Sequence, residues 1–360
     1  MKRWLFLGAL AFSVAVQGAA SPSVDEARKT RIDKAVENGL RFLAGSIRPD
    51  GTFDGGSGRT TALPALAGMA FLSKGYLPNR APYGEALNRA IDYVLAQADM
   101  RPDAPFRGYF GNEDNGRMYA HAIATLFLSE CSGMVDEKRQ KRIDQVLPHA
   151  VRVILDAQRH PKDNADHMGG WRYQPNARDS DLSCSGWALM ALRSARLNGG
   201  GVPPEAIEQA VLYIKRTRRD RDGAFSYQGN GGQYAETLTG AGILCLELCG
   251  KHLAPESLAA ARYVRSTYER ALSPESGNYV FYGLYYSAQG LFQIGGENWT
   301  QFYDWLAESW LPKQRADGSW VNERNGSEGN PAYATAMMVL ALTVPYRQLP
   351  IYQRDETVDL

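Results

Sequence analysis

Residues 314–342, QRADGSWVNERNGSEGNPAYATAMMVLAL, combine two features that decide the fold. The turn DGSW at 317–320 contains a glycine and an aromatic residue, and the segment 333–342 that follows is apolar on nearly every side. A helix without a polar face has to be buried all round. An amphipathic segment that begins near Phe302 precedes the turn, so this part of the chain predicts a hairpin of one outer and one inner helix.

The same hairpin recurs along the chain, which is typical of a repeat architecture. Each copy has an amphipathic helix with apolar residues on one face, a turn with glycine and aromatic residues, and a second helix of small apolar residues. The fifth copy is the most degenerate, because its turn lacks an Asp-Gly pair. The predicted inner helices are 60–72, 119–128, 185–195, 239–248, 283–294 and 333–342.

Six outer helices that alternate with six inner helices predict an all-α fold, an α/α toroid in which one ring of helices lies inside another. Closure of the ring buries the inner helices without leaving an open solenoid end. Period-2 alternation is nowhere sustained, which argues against a β-rich fold. We expect a single toroid domain at 21–345 and a polar C-terminal tail at 346–360.

The N-terminal residues have the pattern of a secretory signal peptide. Lys2 and Arg3 precede an apolar run at 4–16, and small residues follow up to Ala20. We expect cleavage after Ala20 and an exported protein, periplasmic or secreted, without an integral membrane span. Without residues 1–20 the chain keeps 38 Lys and Arg against 39 Asp and Glu, a balance that argues against a nucleic-acid partner.

The segment from Gln314 to Trp320 resembles the QW repeat, Gln-x-x-Asp-Gly-x-Trp, of squalene-hopene and oxidosqualene cyclases. Gln158 before Trp171 is similar to a copy lengthened by an insertion. Together with the helix pattern, the resemblance covers about residues 24–345. It implies the superfamily of terpenoid cyclases and protein prenyltransferases, known also as prenyltransferase/squalene-oxidase repeat proteins. Inner helices in that superfamily line a central cavity for apolar ligands, so the resemblance implies an apolar cavity here.

The glutamine and the glycine of this motif have a structural explanation. Glycine permits a tight turn, the aromatic ring covers the end of a neighbouring helix, and the amide is expected to bond to free backbone groups there. The motif therefore predicts fold better than activity.

The segment 179–183, DSDLS, precedes the third inner helix, where class II terpene cyclases carry Asp-x-Asp-Asp-Thr. Asp181 matches the central aspartate of that motif, the acid that protonates the substrate, and Asp179 matches the first, but Leu182 replaces the last carboxylate. The resemblance thus implies Asp181 and Asp179 as candidate catalytic residues. A helix cap is the favoured explanation of both residues, because several other inner helices also begin with capping or polar residues. Those residues are Thr60, Thr61, Glu236, Thr237 and Thr335.

Aromatic and titratable side chains on or beside the inner helices are candidates for binding a ligand. Aromatic rings can stack on a sugar or an isoprenoid or stabilise a cation, although packing of the core also explains them. His121 titrates near neutral pH when unperturbed, and Glu236 is a candidate partner for Asp179 or Asp181 across the cavity. The candidate ligand-binding residues are Tyr119, His121, Trp187, Tyr234, Glu236, Tyr282 and Tyr286.

The four cysteines do not have the spacing of a metal site. Cys245 and Cys249 are one helical turn apart, but His252 lies past the predicted helix end and no Asp-x-Cys pair with a later histidine is present. We interpret Cys131, Cys184, Cys245 and Cys249 as core thiols, with room for one disulfide, and expect neither a metal nor a cofactor.

Three functions of different classes remain open. The favoured one is an exported ring that binds an apolar small molecule or a partner protein without catalysis. The second is a terpene-cyclase-like enzyme that uses Asp181 as its acid. The third is a carbohydrate-active α/α barrel, which would need two carboxylates about 5–10 Å apart.

Overall fold

The computed structural model describes residues 26–53, 60–112, 116–229 and 231–353. Within these ranges the chain forms twelve α-helices that alternate between an outer and an inner position. The outer helices are α1 Glu26–Ser46, α3 Gly84–Ala96, α5 Glu137–Arg159, α7 Pro204–Arg216, α9 Pro255–Ala271 and α11 Gly296–Trp310. The inner helices are α2 Ala62–Ser73, α4 Arg117–Cys131, α6 Leu182–Leu197, α8 Ala235–Leu248, α10 Val280–Ile294 and α12 Pro331–Leu342.

Contacts between the inner helices close the ring. Each inner helix packs against the next, from α2 through α4, α6, α8 and α10 to α12, and α12 packs in turn against α2. Nearly every residue of the inner helices is buried, whereas the outer helices bury one face only. The all-α toroid predicted from the alternation of amphipathic and apolar helices is therefore confirmed. The predicted signal peptide lies outside the described residues.

Two glutamines join successive hairpins at the turns. The amide of Gln314 donates to the carbonyl of Ala35 at 2.8 Å and to that of Gly318 at 2.9 Å. The amide of Gln158 donates to the carbonyls of Ala206 at 2.8 Å and Gly169 at 3.0 Å. Each glutamine thus links its own turn to the next outer helix, and Gln314 makes this link across the point of ring closure.

Both turns need glycine for the same reason. Gly318 has a φ of 92°, and a Cβ there would lie 2.3 Å from the carbonyl oxygen of Asn38. Gly169 has a φ of 86°, and its Cβ would lie 2.2 Å from the carbonyl oxygen of Gln209. Any side chain would therefore be strained and would push the turn away from the neighbouring outer helix.

The aromatic residue after each of four turns donates its backbone N–H to a side chain on the following inner helix. The acceptor is a serine, a threonine or a histidine, so these side chains hold the turn to the helix. The pairs are Phe110 with His121 at 3.3 Å, Trp171 with Ser185 at 2.9 Å, Phe225 with Thr239 at 3.1 Å and Trp320 with Thr335 at 3.0 Å.

The C-terminal segment closes one end of the ring. Ile351 is buried and donates its N–H to the carboxylate of Glu130 at 3.2 Å, near the end of α4. Tyr352 is bonded through its hydroxyl to Tyr285 and through its carbonyl to Gln293, near the end of α10. The segment predicted as a C-terminal tail therefore packs into the ring as far as residue 353, and residues 354–360 lie outside the described part.

No described helix is both long and apolar enough to cross a bilayer.

Replacing Gln158 by leucine should lower the free energy of unfolding by about 1–3 kcal/mol, because two buried carbonyl oxygens lose their donor. Gln145, exposed on the same helix, is the matched control, and its replacement by leucine should change stability by less than about 0.5 kcal/mol. Chemical denaturation of the two variants measures the difference. Equal losses in both would show that the amide of Gln158 contributes nothing.

The buried Glu130 should make stability depend on pH. Burial raises the pKa of Glu130 to about 7, so the folded state binds its proton more tightly than the unfolded state does. The resulting contribution of Glu130 to the free energy of unfolding is complete below its ordinary pKa of 4.5 and is lost as the pH rises through 7. The melting temperature of Glu130→Gln, relative to that of the unmodified protein, should therefore be higher at pH 8 than at pH 5. A constant difference across this range would contradict the prediction.

Candidate ligand-binding site

A cavity of about 490 Å³ opens at the end of the ring opposite to the C-terminal segment. Five inner helices, α4, α6, α8, α10 and α12, contribute residues from their first turns, and the preceding turns complete the wall. Seven of the lining residues are tyrosines. The lining residues are Tyr119, Tyr173, Ser183, Tyr227, Gln233, Tyr234, Thr237, Leu238, Tyr279, Tyr282, Glu328 and Tyr333.

Glu328 places a carboxylate in the cavity wall. Its side chain is only 1% exposed, and its two oxygens accept the N–H groups of Tyr282 at 2.9 Å and Phe281 at 3.2 Å. These N–H groups belong to the first turn of α10, which has no partner for them within the helix. Burial raises the pKa of Glu328 to about 7, against the lowering effect of the hydrogen bonds. Near neutral pH the carboxyl group is thus present in both its protonated and its ionised form.

Tyr282, whose backbone N–H is bonded to Glu328, also lines the cavity with its side chain. Its ring packs against that of Tyr286 with the centroids 4.7 Å apart. The hydroxyl oxygen is buried, and the hydroxyl of Tyr286 is the polar group that lies close to it. A ligand group that reaches the Tyr282 hydroxyl can complete its hydrogen bonding.

Four tyrosines form an arc along the rim of the cavity. The hydroxyl oxygens of Tyr173 and Tyr227 are 2.5 Å apart. The ring of Tyr227 meets that of Tyr234 edge-on at 5.7 Å, and Tyr234 meets Tyr279 in the same way at 5.8 Å. Tyr234 and Tyr279 remain 54% and 38% exposed, which makes them accessible stacking surfaces.

A second, more polar pocket of about 330 Å³ adjoins this arc. It shares Tyr234, Thr237 and Tyr279 with the cavity and adds Arg219, Tyr263, Asn278 and Glu236. The carboxylate of Glu236 is bonded to Arg270 and accepts the amide of Asn278 at 3.2 Å. Tyr234 and Tyr279 thus separate two compartments of one larger depression.

Neither of the two aspartates predicted as catalytic lines the cavity. Asp181 is fully buried and caps α6, where one of its oxygens accepts the hydroxyl of Ser183 at 2.6 Å and the N–H of Cys184 at 2.9 Å. Its other oxygen lies 3.3 Å from the guanidinium of Arg172, which also contacts Asp179 at 3.4 Å. Burial raises the pKa of Asp181. The geometry is that of a helix cap with a charged partner.

The predicted ligand-binding residues fall into three groups. Tyr119, Tyr234 and Tyr282 line the cavity. Trp187 and Tyr286 lie behind it, in contact with Tyr119 and Tyr282 respectively, and Trp187 stacks on Tyr285 at 5.3 Å. Glu236 belongs to the adjoining pocket.

His121 is bonded on both sides of its ring. Its Nδ1 accepts the N–H of Phe110, and its Nε2 lies 3.0 Å from the carbonyl oxygen of Ala150. Burial lowers its pKa to about 4, so the ring is neutral and carries its proton on Nε2. Its position in the fold matches that of Ser185, Thr239 and Thr335, and its role is to hold a turn.

The cavity wall is apolar over most of its area, and the phenol groups and Glu328 add polar atoms to it. The reasoning from sequence also missed Tyr173, Tyr227, Tyr279, Glu328 and Tyr333. Four of these lie in or next to the turns, where helical periodicity carries no information, and Tyr333 is in the first turn of α12. The clustering of tyrosines immediately before inner helices was the one signal that could have indicated them.

The cysteines are free thiols, three of them buried and Cys249 half-buried. In the part of the chain that the structure describes, no group of three or more His, Cys, Asp or Glu side chains is arranged to hold a metal ion.

Comparison with known proteins identifies the fold and no closer relationship. No family model matches the chain, and no curated protein matches it. Among solved structures it is similar to the α-1,6-mannanase GH76A of Salegentibacter sp. HEL1_6, with a TM-score of 0.63, 11% identity, and coverage of 88% of this chain and 99% of that one.

Two further solved structures have the same fold. One is a variant of the type II terpene cyclase MstE from Scytonema in complex with geranylgeranyl dihydroxybenzoate, with a TM-score of 0.56, 15% identity, and coverage of 91% and 100%. The other is a variant of a glycosidase, with a TM-score of 0.57, 12% identity and the same coverage. The TM-scores establish the shared toroid fold. Sequence identities this low do not indicate a shared activity, which has to be argued from the residues of the site.

Replacing Asp181 by alanine should lower the free energy of unfolding by about 1–2 kcal/mol, because α6 loses its cap. Asp179→Ala is the matched control and should cost much less, since that carboxylate is partly exposed and caps no helix. Thermal unfolding of both variants distinguishes them. A normal melting temperature for Asp181→Ala would refute the role as a cap.

Proposed function

We propose that this protein is a binding ring, which holds a small amphiphilic molecule in the tyrosine-lined cavity at its open end. One observation carries the proposal: a cavity of about 490 Å³ is walled by seven tyrosines and a buried carboxylate. This volume falls within the range of roughly 300–1,000 Å³ that small-molecule sites occupy. A concave site of this depth suits a small molecule better than the surface of a partner protein.

The wall combines apolar surface with fixed polar groups. The tyrosine rings provide flat contact area, whereas Glu328, the hydroxyl of Tyr282 and the side chains of Gln233 and Thr237 provide hydrogen-bonding groups. A ligand with both apolar and polar surfaces can pack against the rings and bond to the polar groups of the wall. A pure hydrocarbon would offer those polar groups no partner.

Glu328 supports catalysis as a second candidate function. The structurally similar proteins include a terpene cyclase and glycosidases, and both kinds of reaction need a proton donor. Burial raises the pKa of Glu328 to about 7, so a protonated carboxyl group persists near neutral pH inside the cavity. Asp181 is less suited to the same task, because its side chain does not line the cavity and one of its oxygens lies against the guanidinium of Arg172. Its replacement by asparagine should leave any turnover intact, whereas Glu328→Gln should abolish it.

We propose further that the protein acts after export, a proposal supported by the basic and apolar pattern of residues 2–20.

Native mass spectrometry of the protein purified from its own host tests binding and export together. We expect a mature chain that begins at Ser21 and carries a small molecule. Tyr333→Leu should weaken retention of this molecule about tenfold, because the cavity loses an aromatic wall. The control is Tyr346→Leu, a partly buried tyrosine beyond the C-terminal end of α12.

An empty chain that also fails to bind added ligands would overturn the proposed function. Equal loss of the bound molecule in both variants would mean that the molecule is held elsewhere.

A further inference from the structure

On the basis of the proposed function, we infer that the ligand is a neutral oligosaccharide that spans the cavity and the adjoining pocket and stacks on Tyr234 and Tyr279. The two compartments share these tyrosines and Thr237. A molecule confined to the cavity would leave the second compartment unused, whereas a chain of linked rings fills both.

The exposed tyrosines fit the apolar faces of sugar rings. Tyr227, Tyr234 and Tyr279 meet edge-on, with interplanar angles of 81° and 77°, so that successive rings present faces in different directions. A linked chain of pyranose rings turns at each glycosidic bond and can follow such an arc. Exposed aromatic rings of this kind provide contact area without a large loss of side-chain entropy.

The polar groups of the wall fit the hydroxyls of a sugar. Glu328 keeps its carboxyl group in the wall of the cavity and can accept a hydrogen bond from a sugar hydroxyl, and the side chains of Gln233 and Thr237 can bond to others. In the adjoining pocket, the amide of Asn278 and the carboxylate of Glu236 form a bonded pair of the type that recognises vicinal hydroxyls. An isoprenoid would offer these groups no further hydrogen bond and would take their remaining polar atoms out of water, at a cost that reduces its affinity.

The charges of the wall favour a neutral ligand. Glu328 and Glu236 present carboxylates in the two compartments, and Arg219, the cation that lines the second compartment, is bonded to Asp222 at 2.6 Å. Glu236 is likewise paired with Arg270, so neither the cation nor the carboxylate of the second compartment is left without a partner of opposite charge. An anionic sugar would therefore find no unpaired cation among the lining residues and would meet the carboxyl group of Glu328, whereas a neutral sugar needs no charged partner.

The test uses the full mature chain on an array of α- and β-linked oligosaccharides, with geranylgeraniol in detergent micelles as the competing probe. We expect a neutral oligosaccharide to bind and geranylgeraniol not to displace it. Calorimetry on the hit should show an affinity about tenfold weaker for Tyr279→Ala, because one stacking surface is lost. Leu197→Ala is the matched control: Leu197 is also 38% exposed, lies at the far end of α6, and should leave the affinity unchanged.

The outcomes separate this inference from the function on which it rests. If geranylgeraniol binds and no oligosaccharide does, the inference of an oligosaccharide ligand is wrong, while the proposed function as a binding ring stands. Failure of both probes, with nothing bound to the protein from its host, would overturn both proposals. An oligosaccharide that binds Tyr279→Ala as well as it binds the unmodified chain would place the sugar outside this site and also contradict the inference.

Discussion

Closure of the ring depends on how the last hairpin meets the first. The amide of Gln314 bonds to a carbonyl of α1 as well as to its own turn, and the missing side chain of Gly318 lets that turn lie against the same helix. Every inner helix then has a neighbour on both sides, so the apolar faces of all six are covered. Without this contact α2 and α12 would each expose a face that has no polar residues to meet water.

Closure also makes the two ends of the ring different. Five inner helices begin at the cavity, and the first N–H groups of a helix have no partner within it. Carboxylates and amides supplied by the turns accept these groups, as Asp181 does for α6, Glu328 for α10 and Asn330 for α12. The polar groups needed to finish the helices thus surround the cavity, while the opposite end is closed by the C-terminal segment. This explains why a ring of apolar helices encloses a site whose wall carries polar groups.

The sequence predicts the helices well because burial imposes a strict pattern on them. The predicted inner helix at 333–342 compares with an observed α12 at Pro331–Leu342, and the other inner helices agree within a few residues. No such pattern governs turns. Tyr227 and Tyr279 are brought to the rim by backbone conformations that have no periodicity, and Leu349 and Ile351 lie among polar residues that conceal their burial. The sequence therefore predicts the helices, and it does not predict which residues of the turns and of the C-terminal segment are buried or line the cavity.

The position of an acidic residue in such a fold does not reveal its role. Asp181 and Glu328 both accept backbone N–H groups at the start of an inner helix, and burial raises the pKa of each. They differ in what else they contact. The remaining oxygen of Asp181 faces Arg172, whereas Glu328 lines the cavity among tyrosine side chains and has no cation against it in the described residues. The same capping requirement thus yields a structural residue in one hairpin and a ligand-facing one in another, and the short segment before each inner helix decides which.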